Sequence, residues 1–190
     1  MLIRALNKPK KLARNMIQVS NLSKTFGSQT LFENVSFSLK QKEKVGLVGR
    51  NGTGKSTLLK IIEGHLSSDA GDIRLPKGYL VGSLSQHLNF SKPSLREECA
   101  QELKGDEKFD FFRAEKILFG LGFSEEDLKR PPSSFSGGYQ IRIELTKVLL
   151  KNPNLLLLDE PTNYLDILSL RWLKRFIKDF SGEVILINNN

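Results

Sequence analysis

The sequence predicts an α/β fold: a mainly parallel core sheet, an antiparallel β edge and an inserted helical subdomain. Three observations carry that expectation. A short stretch that reads as a buried strand, Lys44–Val48, runs into the loop Gly49-Arg50-Asn51-Gly52-Thr53-Gly54-Lys55-Ser56-Thr57, and a helix leaves it at Lys55. Strand and helix signals then alternate towards the end of the chain. Residues from about 88 to 150 interrupt that alternation, with helical patterns and no clear strand.

The elements follow in order. Met16 opens the first strand-like stretch, Ile17–Leu22, so the folded domain is expected over residues 16–190. A second strand lies around Val35–Leu39, and the two read as the antiparallel edge. Lys44–Val48 is the third strand, Lys55–Glu63 the first helix and Leu80–Leu84 the fourth strand. In the 88–150 stretch, Ala114, Ile117, Leu118 and Leu121 are spaced i, i+3, i+4, i+7, and Ile141, Leu145, Val148 and Leu149 are spaced i, i+4, i+7, i+8. Both stripes read as core-facing helix surface. Pro131-Pro132 breaks the helical patterns, because proline cannot continue a helix. Leu155–Leu158 is an apolar strand, Leu170, Leu173 and Ile177 mark a further helix, and Val184–Ile187 is the last strand.

Bulk properties narrow the classes. At 190 residues and 39% hydrophobic, the chain can form one cored domain, with or without a small helical subdomain. No apolar run approaches the ~20 residues that span a bilayer, which argues against membrane insertion. The N-terminus lacks the apolar core of a signal peptide. Cys99 stands alone, which excludes an internal disulfide and suits a reducing, cytoplasmic location. Of the net charge of +8, residues 1–15 supply +5 through Arg4, Lys8, Lys10, Lys11 and Arg14, with no acid. This basic extension reads either as a contact for nucleic acid or acidic lipid, or as a solvated end.

The chemistry concentrates in two places. The loop matches G-x-x-x-x-G-K-[ST], the Walker A pattern of a phosphate-binding loop. Gly49, Gly52 and Gly54 are expected to take unusual dihedrals and bring backbone N–H groups close to a polyphosphate. The helix starting near Lys55 aims its positive dipole end at the same anion. Lys55 reads as a surface point charge for the terminal phosphates, and the Ser56 hydroxyl as a Mg²⁺ ligand. At the end of Leu155–Leu158, Asp159 can hold the Mg²⁺ shell and Glu160 can polarise an attacking water as general base. In Phe135-Ser136-Gly137-Gly138-Tyr139-Gln140-Ile141-Arg142, Ser136 is expected as an N-cap, and the glycines leave the helix start bare as a second anion site.

The ordered set of phosphate loop, Gln86, Ser136-Gly137-Gly138 and Asp159-Glu160-Pro161-Thr162 resembles the ATP-binding cassette (ABC) ATPases over residues 16–190. Pro161-Thr162-Asn163-Tyr164-Leu165-Asp166 and Ser136–Arg142 resemble the ABC-F group, whose members have no membrane domain and usually carry two cassettes on one chain. Many of them act on ribosomes. The resemblance implies ATP and Mg²⁺ as ligands. It implies that Phe26 stacks on adenine, and that Gln86 senses Mg²⁺ and the γ-phosphate. Ser136, Gly137 and Gly138 would contact the γ-phosphate of ATP held by an opposing cassette, with Asn163–Asp166 crossing between the two. A second cassette, on the same chain or on another copy, is therefore an implied partner.

Two departures from the family pattern stand out. The family's histidine after the last strand falls on Asn189, flanked by Asn188 and Asn190, while His65 and His87 lie elsewhere and read as surface residues. Asparagine donates a hydrogen bond but neither carries charge nor relays a proton. Family cassettes also continue further, so the domain is expected to be truncated at its C-terminal end. Then, only 50 residues separate Gln86 from Ser136, leaving little room for the helical arm many ABC-F proteins insert there, which makes the ribosomal role a weaker expectation than ATPase activity. Three readings stay open: a soluble ABC-F-like ATP hydrolase, the ATP-binding subunit of an ABC transporter, and a nucleotide-binding module with little turnover. Asn163-Tyr164 favours the first, since transporter cassettes more often carry Ser-Ala there.

Overall fold

A computed structural model of the chain describes residues 17–84, 88–103 and 111–187. Gln86, His87, the basic residues 1–15 and Asn188–Asn190 lie outside the described residues. In chain order the elements are β1 (Ile17–Phe26), β2 (Gln29–Leu39), β3 (Lys44–Leu47), α1 (Lys55–Ile62), β4 (Ala70–Arg74), β5 (Val81–Ser83) and α2 (Leu95–Ala100). They continue with α3 (Phe111–Gly120), α4 (Gly137–Leu150), β6 (Leu155–Asp159), α5 (Ile167–Asp179) and β7 (Glu183–Ile187). Two compact units emerge. One comprises the chain up to Val81 with Asn154–Glu160 and the segment from Ser181; the other comprises Gly82–Pro153 and Pro161–Phe180.

The first unit carries both sheet types the sequence predicts. β1 pairs antiparallel with β2 and with β4, in the order β2-β1-β4. The hairpin β1/β2 outruns its apolar stretches because Thr25 and Phe26 go on pairing with Thr30 and Gln29. β4 has no counterpart among the expected strands. It is Ala-Gly-Asp-Ile-Arg, largely exposed, and only its pairing with β1 makes it a strand. The parallel sheet has the order β3-β7-β6-β5, with β3 and β6 each parallel to the intervening β7. Leu155, Leu157, Ile185 and Ile187 from this sheet share one core with Ile17, Val19 and Leu22 of β1 and with Leu58, Leu59, Ile61 and Ile62 of α1. Each such side chain contributes about 1.5–3 kcal/mol on burial, which is why the parallel strands read as unbroken apolar runs.

At the opposite end from the loop, Glu183 ties the strands together. It is buried, accepts from the Lys42 N–H at 3.1 Å and takes the Tyr79 hydroxyl on its other oxygen. Burial, followed by that carboxylate, pushes the Tyr79 hydroxyl well above its usual range.

In the second unit the predicted stripes are where burial falls. Ala114, Ile117 and Leu118 of α3 are buried, as is Leu121 just past its end. On α4, Leu145, Val148 and Leu149 are buried while Ile141 is only half-buried, and on α5 the same contrast separates Leu173 from Leu170 and Ile177. The short α2 buries only Leu95 and Cys99, spaced i, i+4, together with one acid. Its Glu98, 1% exposed, accepts from Lys147 Nζ at 2.9 Å and from the N–H groups of Ser91 and Lys92 at 2.9 and 3.0 Å. Burial pushes the Glu98 carboxyl up, but these three donors outweigh it and hold the group below the usual carboxylate range. A depressed native pKa adds stability above the unfolded value, near ~4.3, and that stability is lost as pH falls through the native value. The chain is therefore expected to lose thermal stability below about pH 4. In Glu98→Gln this acid-dependent loss should shrink, as read from melting temperatures between about pH 3 and 6; an unaltered pH profile would remove Glu98 from that role. Among the described residues, no helix is long and apolar enough to cross a membrane.

Candidate phosphate-binding site

The parallel sheet brings the loop and the acids to one edge. Ile187 of β7 pairs with Leu47 of β3 on one side and with Asp159 of β6 on the other. Val48 and Glu160 thus leave the sheet at the same carboxyl end, with one strand between them, about 10 Å across the backbone. In open parallel sheets this carboxyl edge is where ligands bind.

The loop's glycines serve different ends. Gly52 and Gly54 take φ of +79° and +88°, which side-chain-bearing residues rarely adopt. Gly49 does not, contrary to expectation; a Cβ there would lie 3.2 Å from Thr53 Oγ1, so what it supplies is room. The Thr53 hydroxyl closes the turn by donating to the Arg50 carbonyl at 2.9 Å. Among the described residues, the backbone N–H groups of Gly52, Gly54, Lys55 and Ser56 meet no acceptor, although Gly54 and Lys55 are buried. Buried donors cost free energy when left unpaired, so this cluster could take an external anion.

Lys55 corrects the expectation of a surface charge: the residue is only 6% exposed. Its stem packs at the start of α1 and its Nζ curls back to donate to the Gly49 and Arg50 carbonyls at 2.8 and 2.9 Å. An ammonium has three donors, so one remains for a ligand. The Ser56 hydroxyl is exposed and has no partner among the described residues, and Asp159 is exposed at the end of β6. A hydroxyl and a carboxylate are hard oxygen donors that fit Mg²⁺, an ion that keeps several waters and takes one or two carboxylates with substrate phosphates.

Glu160 has φ +48°, the left-handed region for a residue with a side chain, and its N–H donates to the Ile187 carbonyl at 3.0 Å. Such a conformation costs about 1–3 kcal/mol and persists only where the surroundings impose it. Here the bond to the end of β7 does so. Phe26 sits where the β1/β2 hairpin turns, half-exposed, with Lys24 Nζ 5.2 Å from its ring centroid. Lys24 is itself held by Asp69 at 2.8 Å, and Asp69 also accepts from the Thr25 N–H at 2.7 Å. The Lys24 hydrogen bond, then the Thr25 N–H, holds the Asp69 carboxyl below its usual range. One anchored, half-exposed ring can offer a stacking face.

In the second unit, Ser136 precedes α4 with an extended backbone, as a cap should, but its side chain makes no capping hydrogen bond. The carbonyl of Ser136 accepts from Gln140 N at 2.9 Å, and the Gln140 amide donates to the Phe135 carbonyl at 2.9 Å. The helix start is therefore barer than the sequence implies, with open space around Gly137 and Gly138. Asn163 is exposed, in the single turn Pro161–Tyr164. Asp166 caps α5, accepting the Ser169 N–H at 2.8 Å, and takes Arg142 Nη1 at 3.0 Å. The Ser169 N–H, with further help from its hydroxyl and from Arg142, holds the Asp166 carboxyl low.

Sequence reasoning assigned no role to Arg142, Lys24 or Asp69. Buried Arg142 also donates to the Leu121 carbonyl at 3.0 Å and so ties the start of α5 to α3 and α4. The cap Asp166-x-x-Ser169 is readable locally. The Arg142 and Asp69 partners lie 24 and 45 residues away from their acid or base, beyond any local pattern.

The family model for the ABC transporter matches residues 32–163. YdiF of Bacillus subtilis strain 168 is 36% identical over 216 residues, covering 92% of this chain and 34% of its own length. The ABC transporter F family member 5 of Arabidopsis thaliana is 31% identical over 218 residues, covering 92% of this chain and 32% of its own. This chain thus spans about a third of the length of these curated relatives. A solved ATP-binding subunit of an ABC transporter superposes with a TM-score of 0.78 over 92% of this chain and 80% of that one; at 23% identity that likeness concerns the fold.

Proposed function

The chain belongs to the ABC transporter family, as an ATP-binding cassette, and from that membership we propose that it hydrolyses ATP at a site completed by a second cassette. The observation that carries the reading is the cluster of N–H donors at Gly52, Gly54, Lys55 and Ser56, unpaired among the described residues and one strand away from Asp159 and Glu160. In this reading the N–H groups of residues 49–57 wrap the β- and γ-phosphates. Lys55 Nζ keeps its carbonyl contacts or exchanges them for phosphate oxygens, supplying charge where it develops. Ser56, Asp159 and Gln86 would hold Mg²⁺, which supplies neutralisation of phosphate charge when bound. Glu160 accepts the proton of a water whose oxygen bonds to the γ-phosphorus as the β–γ bridging P–O bond breaks and ADP leaves with the electron pair. Phe26 stacks on the adenine. Ser136, Gly137 and Gly138 serve the ATP held by the partner cassette, with Asn163–Asp166 between the two.

Lys55→Ala tests the binding half. Removing the amine takes a buried cation from the loop and frees two carbonyls, so Mg·ATP affinity should fall by at least about tenfold, while circular dichroism stays unchanged. Equal affinity of parent and variant for a fluorescent ATP analogue would dismiss the phosphate-loop assignment. A second test addresses the end of the chain. With asparagine at the family's histidine position, turnover should be slow relative to binding, and Asn189→His should raise it; a parent rate already dependent on Glu160 and typical of intact cassettes would contradict this.

The finer reading is an ABC-F-like protein that acts on ribosomes. The Pro161–Asp166 motif and the likeness to the ABC transporter F family member 5 support it. Co-sedimentation with ribosomes that depends on ATP but not ADP is the expected result, and capture by membrane subunits instead would favour the transporter reading.

A further inference from the structure

The solvent side of α5 carries a feature the ATPase reading leaves unused. Arg171, Lys174, Arg175 and Lys178 are all exposed, and among the described residues none has an ion-pair partner. At 3.6 residues per turn, the spacing i, i+3, i+4, i+7 places them within an arc of about 100°, along about 10.5 Å of helix axis. No acid interrupts the row; the helix's own Asp179 lies at its edge, at the last residue.

A solvated helix face normally mixes both signs, so that neighbours at i+3 and i+4 attract. Within the row all four neighbour pairs, 171–174, 171–175, 174–178 and 175–178, repel, and only Arg175 has an opposite charge at i+4, Asp179. An anion laid along the row would remove that repulsion. The shape of the row selects among anions. A bilayer is a plane, and helices that bind it insert an apolar face. The apolar side of α5 is already used: Leu173 is 1% exposed, and Trp172, Phe176 and Phe180 stack on one another at 5.3 and 5.9 Å. Exposed Ile167 and Leu168 lie on the same face, one turn before Arg171 and next to the Asn163–Asp166 loop, and two apolar residues at one end do not make the apolar face an inserted helix needs. Arg171 and Lys178 lie nearly along the axis with Lys174 and Arg175 on either side, and such a compact group of cations matches the closely spaced phosphates of a nucleic-acid strand. At about 3.4 Å of rise per phosphate in one strand, 10.5 Å spans about three phosphodiesters. Arg171 and Arg175 add forked donors suited to phosphate oxygens.

We propose that the exposed row Arg171, Lys174, Arg175 and Lys178 on α5 binds the phosphodiester backbone of one nucleic-acid strand without reading its sequence. The surface uses no residue assigned to ATP, so it stands or falls separately from the hydrolysis reading.

The test uses the full chain, without nucleotide, and fluorescence anisotropy with labelled single-stranded RNA and DNA 20-mers of the same mixed sequence. In R171Q/K174Q/R175Q/K178Q the glutamines keep helix propensity and remove only charge. Expected is at least about a tenfold loss of affinity, and a slope of log affinity against log salt shallower by about 2.8, at ~0.7 per cation. RNA and DNA should differ little, since both present the same backbone; a strong preference for one would overturn backbone-only recognition. K174R/K178R should bind as the parent does. Unchanged affinity in the fourfold variant would overturn the proposal, as would loss of binding only when Lys8, Lys10 and Lys11 are changed to glutamine. Binding to phosphatidylserine vesicles or to polyglutamate that the RNA 20-mer cannot compete away would also overturn it, in favour of a membrane or an acidic protein. ATP binding by the fourfold variant should equal the parent's, which separates this outcome from a failure of the cassette itself.

Discussion

Glu160→Gln is expected to bind ATP as the parent does and to lose hydrolysis by about two to four orders of magnitude, the usual worth of a positioned general base. The amide matches the carboxylate in shape but cannot take a proton from water. The left-handed backbone at Glu160 is held by its N–H bond to the Ile187 carbonyl, which the substitution keeps. Phosphate release at saturating Mg·ATP, beside binding of a fluorescent ATP analogue, reads the two effects separately. In a protein holding both cassettes, the variant should accumulate as an ATP-bound closed pair. Turnover within a factor of a few of the parent would remove Glu160 from the general-base role.

Gly71→Ala is expected to produce the largest loss of stability. Gly71 lies in β4 with φ +86°, and a Cβ there would stand 2.4 Å from both the Ser20 and Asn21 carbonyl oxygens of β1. Those neighbours are backbone, so no rotamer change relieves the overlap. Either β4 leaves β1 or the strand shifts at its irregular pairing between Ser20 and Ser23. Left-handed strain and overpacking together cost about 3–5 kcal/mol. For a chain of this size that lowers the melting temperature by about 6–20 °C. Because Asp69, next to β4, holds Lys24 beside the Phe26 ring, ATP affinity should fall as well. A melting temperature within about 2 °C of the parent would mean that β4 does not hold this register. Gly27→Ala, also at positive φ but with open space around it, separates strain from overlap and should cost far less.

The residues themselves made much of this protein legible. Gly49–Thr57 must follow a strand and open a helix, because only that arrangement points so many N–H groups one way, and β3 and α1 are there, although only Leu47 of the strand expected to be buried is so. Leu155–Leu158 needs no neighbour to read as a buried strand, and the stripes on α3 and α4 announce their buried faces by period alone. Elements with weak local signals escaped. β4 is an exposed edge made by pairing, and α2 is six residues with two buried apolar side chains and a buried carboxylate.

The sequence by itself determined the fold class, the order of the sheet-forming and helical segments and the two motifs of the proposed phosphate site, since each depends on residue type and short-range spacing. Tertiary structure alone decided the rest. It drew Lys55 out of solvent and back onto the Gly49 and Arg50 carbonyls, because the start of α1 is roofed by its own loop. It placed Asp159 level with Leu47 across Ile187, because parallel pairing sets register between strands more than a hundred residues apart. It joined Arg142 to Asp166 and Glu98 to Lys147, because a buried charge must find a partner wherever the chain brings one.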